Sequence, residues 1–278
     1  MNPEIIGLLP RAKDLDPRRL SLQHTTHGAL AFAQEKNLPG FSIDIEHESI
    51  EWASWPKDLE VLLQIRDIII ETARLPDKKF RERIPQIQTL LMDSPLFRLF
   101  EHNPVVNQSE LDPTPFLHTI LVLLCTKTDG MDLKYVVATR WLAIWHDIGK
   151  IFGSLGKEAR YHDRLSVLMM WKFFYYFCGE GEPGTDNFEP DFDPHFIQKM
   201  IAAVSYHHTG SHYFRGLIES QAADSLGVVR MAHKEIPLGV RKMVTEELQH
   251  RFSDTEVATL FGLLTQADMW STEKYRHL

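Results

Sequence analysis

Apolar residues recur every three or four positions in KDLEVLLQIRDIIIETARL, residues 57–75. Leu59, Leu62, Leu63, Ile65, Ile69 and Ile70 fall on or near one face. That period predicts an amphipathic helix with one core-facing stripe. DPRRLSLQHTTHGALAFAQEKN (16–37) reads as another helix, with Asp16 as N-cap and Pro17 in the first turn. DKKFRERIPQIQTLLMD (77–93) also has helical spacing, and Pro85 predicts an interruption there. FSIDIEHESIEW (41–52) alternates apolar and polar residues, the period of a strand.

Past a polar stretch with three prolines, EHNPVVNQSELDPTP (101–115), helices follow one another. Asp112-Pro113 predicts the start of the helix carrying FLHTILVLLC. Residues 132–148 predict a helix that closes on His146-Asp147, with Gly149 as its stop. RYHDRLSVLMMWKFFYYF (160–177) is the next, and its aromatic run reads as core packing. GEGEPGTDNFEPDFD (179–193) reads as a solvated loop, and Asp193-Pro194 opens PHFIQKMIAAVSYHH. Ser253 and Glu256 have the spacing of a capping box ahead of the last helix. The expected fold class is all-α. A boundary near residue 108 divides a mostly helical N-terminal region (1–108) from a helical domain (109–278).

Composition narrows the function classes. The chain has 278 residues, 44% hydrophobic and 24% charged, a globular balance. The formal net charge of -8 argues against gripping nucleic acid by bulk charge. Cys125 and Cys178 sit in apolar stretches and read as reduced core thiols. No apolar run approaches the ~20 residues of a membrane span, and no secretory signal is legible at the N-terminus. A soluble cytoplasmic protein is the expectation.

The chemistry lies in polar residues that share the apolar faces. Asp268 follows Leu264 by four residues and Phe261 by seven, so it points where that stripe points. His207 stands in the same relation to Met200, Ala203 and Val204. His118 does so in the opposite direction, ahead of Leu121, Val122 and Cys125. His146 and Asp147 close an otherwise apolar segment, WLAIWHDIGK, and His162 lies in the first turn of its helix. One inward histidine is an ordinary core residue. Several, together with two inward carboxylates on successive helices, require a cation, because buried carboxylates otherwise share protons or destabilise the fold. Imidazole nitrogen and carboxylate oxygen together suit divalent first-row metals.

The order His118, His146-Asp147, His162, His207, Asp268, with the motifs WHDIGK (145–150), RYHDRLS (160–166) and SYHHTG (205–210), resembles the HD-domain superfamily of metal-dependent phosphohydrolases. The likeness spans roughly residues 113–272. It matches the H…HD…H…H…D subgroup, which carries two metals. The resemblance implies an HD-domain helical bundle in which His118, His146, Asp147 and Asp268 hold one metal. Asp147 then bridges to a second, held by His162 and His207. It implies hydrolysis of a nucleotide or another phosphate mono- or diester by a metal-activated hydroxide, with Asp147 and Lys150 as catalytic residues. His208, Arg164 and Arg215 are candidate substrate contacts, with Lys157 a further phosphate partner. The cofactors implied are two divalent transition metals drawn from Fe, Mn, Co and Ni, with Mg also compatible. The absence of Gly-Tyr-Pro after HHTG (207–210) speaks against the cyclic-dinucleotide phosphodiesterases that carry it. The expected partner is a small phosphorylated substrate, with no membrane involved. Two other readings fit the same ligands: a di-iron HD-type oxygenase, and a non-catalytic binding module pinned by metal.

Overall fold

The structure, a computed structural model, describes residues 26–102, 114–153, 161–178, 194–205, 207 and 253–276. Among these the chain is mostly helical, with nine α-helices and one two-stranded sheet. The order is α1 (Thr26–Lys36), β1 (Phe41–Asp44), β2 (Ser49–Trp52), α2 (Trp55–Ala73), α3 (Asp77–Asp93) and α4 (Pro95–His102). It continues with α5 (Pro115–Cys125), α6 (Leu133–Trp145), a 3-10 turn (Ile148–Phe152), α7 (His162–Cys178), α8 (Pro194–Ser205) and α9 (Thr255–Arg276). No described helix is long and apolar enough to cross a membrane.

Several local expectations are corrected. The alternating segment at 41–52 is a hairpin rather than one strand, pairing Phe41 with Trp52 and Asp44 with Ser49. Its turn closes where the Asp44 carboxylate accepts the His47 backbone N–H at 2.9 Å. Pro85 lies inside an unbroken α3. A mid-helix proline forfeits about 3 kcal/mol. Here Phe80, Ile84, Ile87 and Leu91 are buried on one face of that helix, and at about 1.5–3 kcal/mol for each fully buried side chain they outweigh it. The helix bearing His118 is capped by Thr114, whose side chain accepts the Leu117 N–H, with Pro115 in the first turn. Asp112, Pro113, Asp193, and residues 16–25 and 179–193 lie outside the described residues.

At the last helix Asp254, not Ser253, is the cap. Its Oδ1 accepts the backbone N–H groups of Glu256 and Val257 at 2.9 and 3.2 Å. Glu256 pairs with Lys134 of α6 and, at 2.5 Å, with Lys199 of α8. Three helices that carry or flank the polar cluster are thereby tied together.

The buried apolar residues form one continuous cluster from Ala29 to Ala267, joining elements on both sides of residue 108. Trp141 and Trp145 of α6 lie at its centre, against Phe173 and Phe174 of α7. The aromatic run on α7 is core packing at those two positions. Two buried charges anchor the N-terminal helices to this core. Asp58 accepts hydrogen bonds from Trp52 Nε1, Ser54 Oγ, Ser94 Oγ and the Leu96 N–H at 2.6–3.1 Å, which joins the hairpin, α2 and the start of α4. Arg140, fully buried in α6, stacks over Phe80 at 3.8 Å and donates to Thr72 Oγ1 and the Ile69 carbonyl of α2. Burial pushes its guanidinium down to about 10 despite the nearby Asp77 carboxylate.

Candidate metal centre

The six residues singled out in the sequence come together from five chain segments. His118 lies in the first turn of α5. His146 caps the C-terminal end of α6, and Asp147 follows it out of the helix. His162 opens α7, His207 lies just past α8, and Asp268 is on α9.

The local backbone at His146-Asp147 explains how neighbouring residues serve one place. On a continuous helix their side chains would diverge by about 100°. His146 keeps helical torsions, φ -54° and ψ -36°, but Asp147 turns to φ -111° and ψ 1° and the chain tightens into the 3-10 turn. Gly149 therefore does not end the segment. The turn runs to Gly153, which takes a positive φ of 133°. Gly149 is needed for a different reason: a Cβ there would lie 2.2 Å from the His162 carbonyl oxygen and 2.7 Å from the Ser166 backbone nitrogen. The absent side chain lets α7 seat against the turn, and Ser166 Oγ accepts the Gly149 N–H at 2.8 Å.

The side chains fall into two groups: His118, His146 and Asp268, and Asp147, His162 and His207. The two oxygens of Asp147 face different groups. Oδ2 lies 3.5 Å from His118 Nε2 and 3.4 Å from His146 Nε2, while Oδ1 lies 3.3 Å from both His162 Nε2 and His207 Nε2. Asp268 Oδ1 lies 3.0 Å from His118 Nε2. Within each imidazole pair the Nε2 atoms are 3.3 Å apart.

The hydrogen bonds behind the rings decide which nitrogen points inward. His146 Nδ1 donates to the Ala143 carbonyl at 2.9 Å, and His207 Nδ1 to the Val204 carbonyl at 2.8 Å. Ser271 Oγ gives its proton to the Asp268 carbonyl at 2.6 Å and so accepts from His118 Nδ1 at 3.3 Å. Assigned from this network, His118, His146 and His207 each carry a proton on Nδ1 and turn Nε2 toward the carboxylates. Around the first group, the inward Nε2 atoms of His118 and His146 lie 3.3 Å from each other and 3.0–3.5 Å from carboxylate oxygens of Asp268 and Asp147, and lone pairs repel unless a cation sits among them. This donor set fits a divalent metal in each group, with Asp147 shared.

The electrostatics agree. Burial pushes His146 down to about 4, so its ring is neutral at pH 7. Burial also acts to raise Asp147. The charge of Lys150, with hydrogen bonds from His162 and His207, outweighs it and holds the carboxyl well below the ordinary range. Asp268 is likewise lowered, its burial outweighed by His118. In the second group burial acts to lower His162. Asp163 and Asp147 together outweigh burial and raise it to about 9, and His207 moves upward for the same reasons. The proton on His162 and the ammonium of Lys150, 2.5 Å from Asp147 Oδ2, are cations this chain itself brings to the bridge.

The groups differ in access. Side chains of the second group are 2–6% exposed and His146 of the first is 1%, whereas His118 is 14%, Asp268 21% and Lys150 26% exposed. Arg164 lies half-buried on α7, two residues past His162. His208, Arg215 and Lys157 lie outside the described residues. His27 and His195, which the sequence leaves out of the ligand set, are exposed.

Two members of the site were missed by the sequence reading. Asp163 is buried with Oδ1 2.7 Å from His162 Nε2, and a second His-Asp dipeptide in RYHDRLS was the available signal. Ser271, fully buried, lies one helical turn past Asp268 and so shares its face. Comparison with protein-family models, curated proteins and solved structures finds no match to this chain.

Proposed function

We propose that this chain is a metal-dependent phosphohydrolase of the HD-domain kind, acting on a nucleotide or another phosphate mono- or diester. The observation that carries the reading is Asp147, whose two oxygens each face a separate pair of imidazole nitrogens. His118, His146 and Asp268 would hold one ion and His162 and His207 the other, with Asp147 between them. Four imidazoles favour Fe, Mn, Co or Ni over Mg. Two such ions would supply an activated water near neutral pH and neutralise phosphoryl oxygens.

The chain's own residues set the direction of approach. The substrate enters over His118, Asp268 and Lys150, the exposed side of the cluster, while the second group stays dry. The Lys150 ammonium, held at Asp147 Oδ2 and partly exposed, is placed to turn to a phosphoryl oxygen and act as an electrostatic partner. Asp147 orients the attacking water in line with the ester bond. Water adds to phosphorus, the P–O ester bond breaks, and the leaving oxygen takes up a proton. The net charge of -8 favours a small substrate over a long polynucleotide.

Elemental analysis of the purified chain, with phosphate release from a panel of nucleotides and esters, tests the reading. Two transition-metal ions per chain, turnover that persists without oxygen, and loss of both metal and turnover in His146→Ala are expected. Metal-free protein, or a fully active His146→Ala variant, would refute it. A strict requirement for oxygen would replace it with an oxygenase.

A further inference from the structure

We infer that the N-terminal unit of α1 and the hairpin orients the metal centre, with Phe32 and Phe41 as positioning residues that fix the turn bearing Asp147 against the helix bearing His162. The inference rests on the metal reading above and gives a role to a part of the chain outside the six-residue ligand pattern.

Phe32 of α1 stacks on Tyr161, the residue before His162, with ring centroids 5.0 Å apart and planes at 21°. Phe41 of β1 meets Phe152, the last residue of the 3-10 turn that follows Asp147, edge to face at 5.2 Å and 76°. The two rings are nine residues apart on a stiff connector. Asn37 and Gly40 take positive φ of 45° and 84°. The Asn37 N–H donates to the Gln34 carbonyl and the Phe41 N–H to the Leu38 carbonyl, each at 3.1 Å, and α1 packs against β1. A connector held in this way keeps its rings at a set separation, and with them Phe152 and Tyr161.

The turn and α7 meet directly at Gly149, where the absent side chain brings backbone against backbone. Such a seat gives close approach without interlocking, so orientation falls to the contacts that flank it. Orientation matters because Asp147 Oδ1 lies 3.3 Å from both His162 Nε2 and His207 Nε2, and a rotation toward one opens the other. The hairpin also grips α7 ten residues past His162. There Glu51 of β2 pairs with Lys172, whose ammonium lies 5.5 and 5.2 Å from the ring centres of Trp52 and Trp55. Held at both places, the unit does not pivot on Tyr161. The first group stands on other packing: α5 lies against α6 and α9, and α6 against α9. Loosening the unit therefore moves Asp147 against His162 and leaves His118, His146 and Asp268 together.

Titration of metal-free, full-length protein with Mn2+, read by calorimetry, tests this. The native chain should take up two ions. Phe32→Leu and Phe41→Leu keep an apolar side chain and remove the ring. Each should leave one ion bound with native affinity and weaken the other by about 10-fold, as for groups that support a metal ligand from behind. Phe41→Tyr keeps the ring at a half-buried position and should bind both ions as the native chain does. Ile87→Ala, in the same core but on α3, lowers stability without touching the unit and should also bind both normally. Unchanged or equal weakening of both ions in the leucine variants overturns the inference and leaves the metal reading standing. So does a selective loss in Ile87→Ala or Phe41→Tyr. Native protein that takes up no Mn2+ overturns both. Should Phe32→Leu fail to fold, Phe41→Leu carries the test alone.

Discussion

Replacing Gly149 by alanine adds one methyl group where the structure has no room for it. The new Cβ would lie 2.2 Å from the His162 carbonyl oxygen, 2.7 Å from the Ser166 nitrogen and 2.9 Å from Leu165 Cβ. The nearest two atoms are backbone, so no rotamer change relieves the contact. Reaching ordinary contact requires the start of α7 and the 3-10 turn to separate by about 1 Å or more. The Gly149 backbone lies outside the left-handed region, so the penalty is steric rather than torsional. Overpacking of this kind costs about 1–3 kcal/mol and sometimes more, against roughly 0.4–1 kcal/mol returned by the stiffer unfolded chain. A net loss of about 2 kcal/mol is expected. The displacement falls on the line between Asp147 and His162, now 3.3 Å apart, so the second group should suffer and the first should not. Misplacement by about 1 Å costs on the order of 100-fold in rate where geometry governs the reaction. Urea unfolding and Mn2+ titration on Gly149→Ala measure both effects. Stability within about 0.5 kcal/mol of native, with both ions bound normally, would show that Gly149 does not set the register between the turn and α7.

Ser271→Ala removes the acceptor that fixes His118 Nδ1. The first ion should weaken by about 10-fold and Ser271→Thr should restore it, which the same titration reads; no change would show that the ring is oriented some other way. Asp58→Ala strands four donors, three of them buried, and should cost about 3 kcal/mol in chemical unfolding, with the His/Asp cluster left in place; a loss below about 1 kcal/mol would mean that those donors find other partners. His162, raised from 6.5 to about 9 in the fold, gives a pH dependence. A raised imidazole stabilises fully below its unfolded value and loses that contribution as pH climbs through the folded one. Metal-stripped protein should therefore lose up to about 3 kcal/mol between pH 6.5 and 9 relative to His162→Gln, and a difference that grows with pH would refute the assignment.

The sequence by itself placed the parts that local periodicity controls. A helical repeat fixes which residues share a face, so Leu264 and Phe261 sufficed to turn Asp268 inward, and Met200, Ala203 and Val204 did the same for His207. The heart of the α2 stripe was legible for the same reason, in Leu62, Ile65 and Ile69, although Val61 and Ile68 proved as deeply buried and Leu59, Leu63 and Ile70 only half-buried. Where local and tertiary preferences compete, the sequence misleads. Pro85 looked like a break, but four buried side chains on its helix outweighed the lost hydrogen bond. Glu256 read locally as half of a capping box, and nothing local announced that lysines 122 and 57 residues away also hold its carboxylate.

Only the tertiary structure decided what the inward residues do to one another. Nothing local says that Asp147 leaves the helix so that its oxygens face different imidazole pairs. Nor does anything local say that Ser271 holds a histidine 153 residues earlier, or that Asp58 gathers donors from three elements. Those relations depend on packing between distant segments. Face and spacing follow from backbone geometry over a few turns, whereas the partner of a buried charge is set by which segments the core brings together.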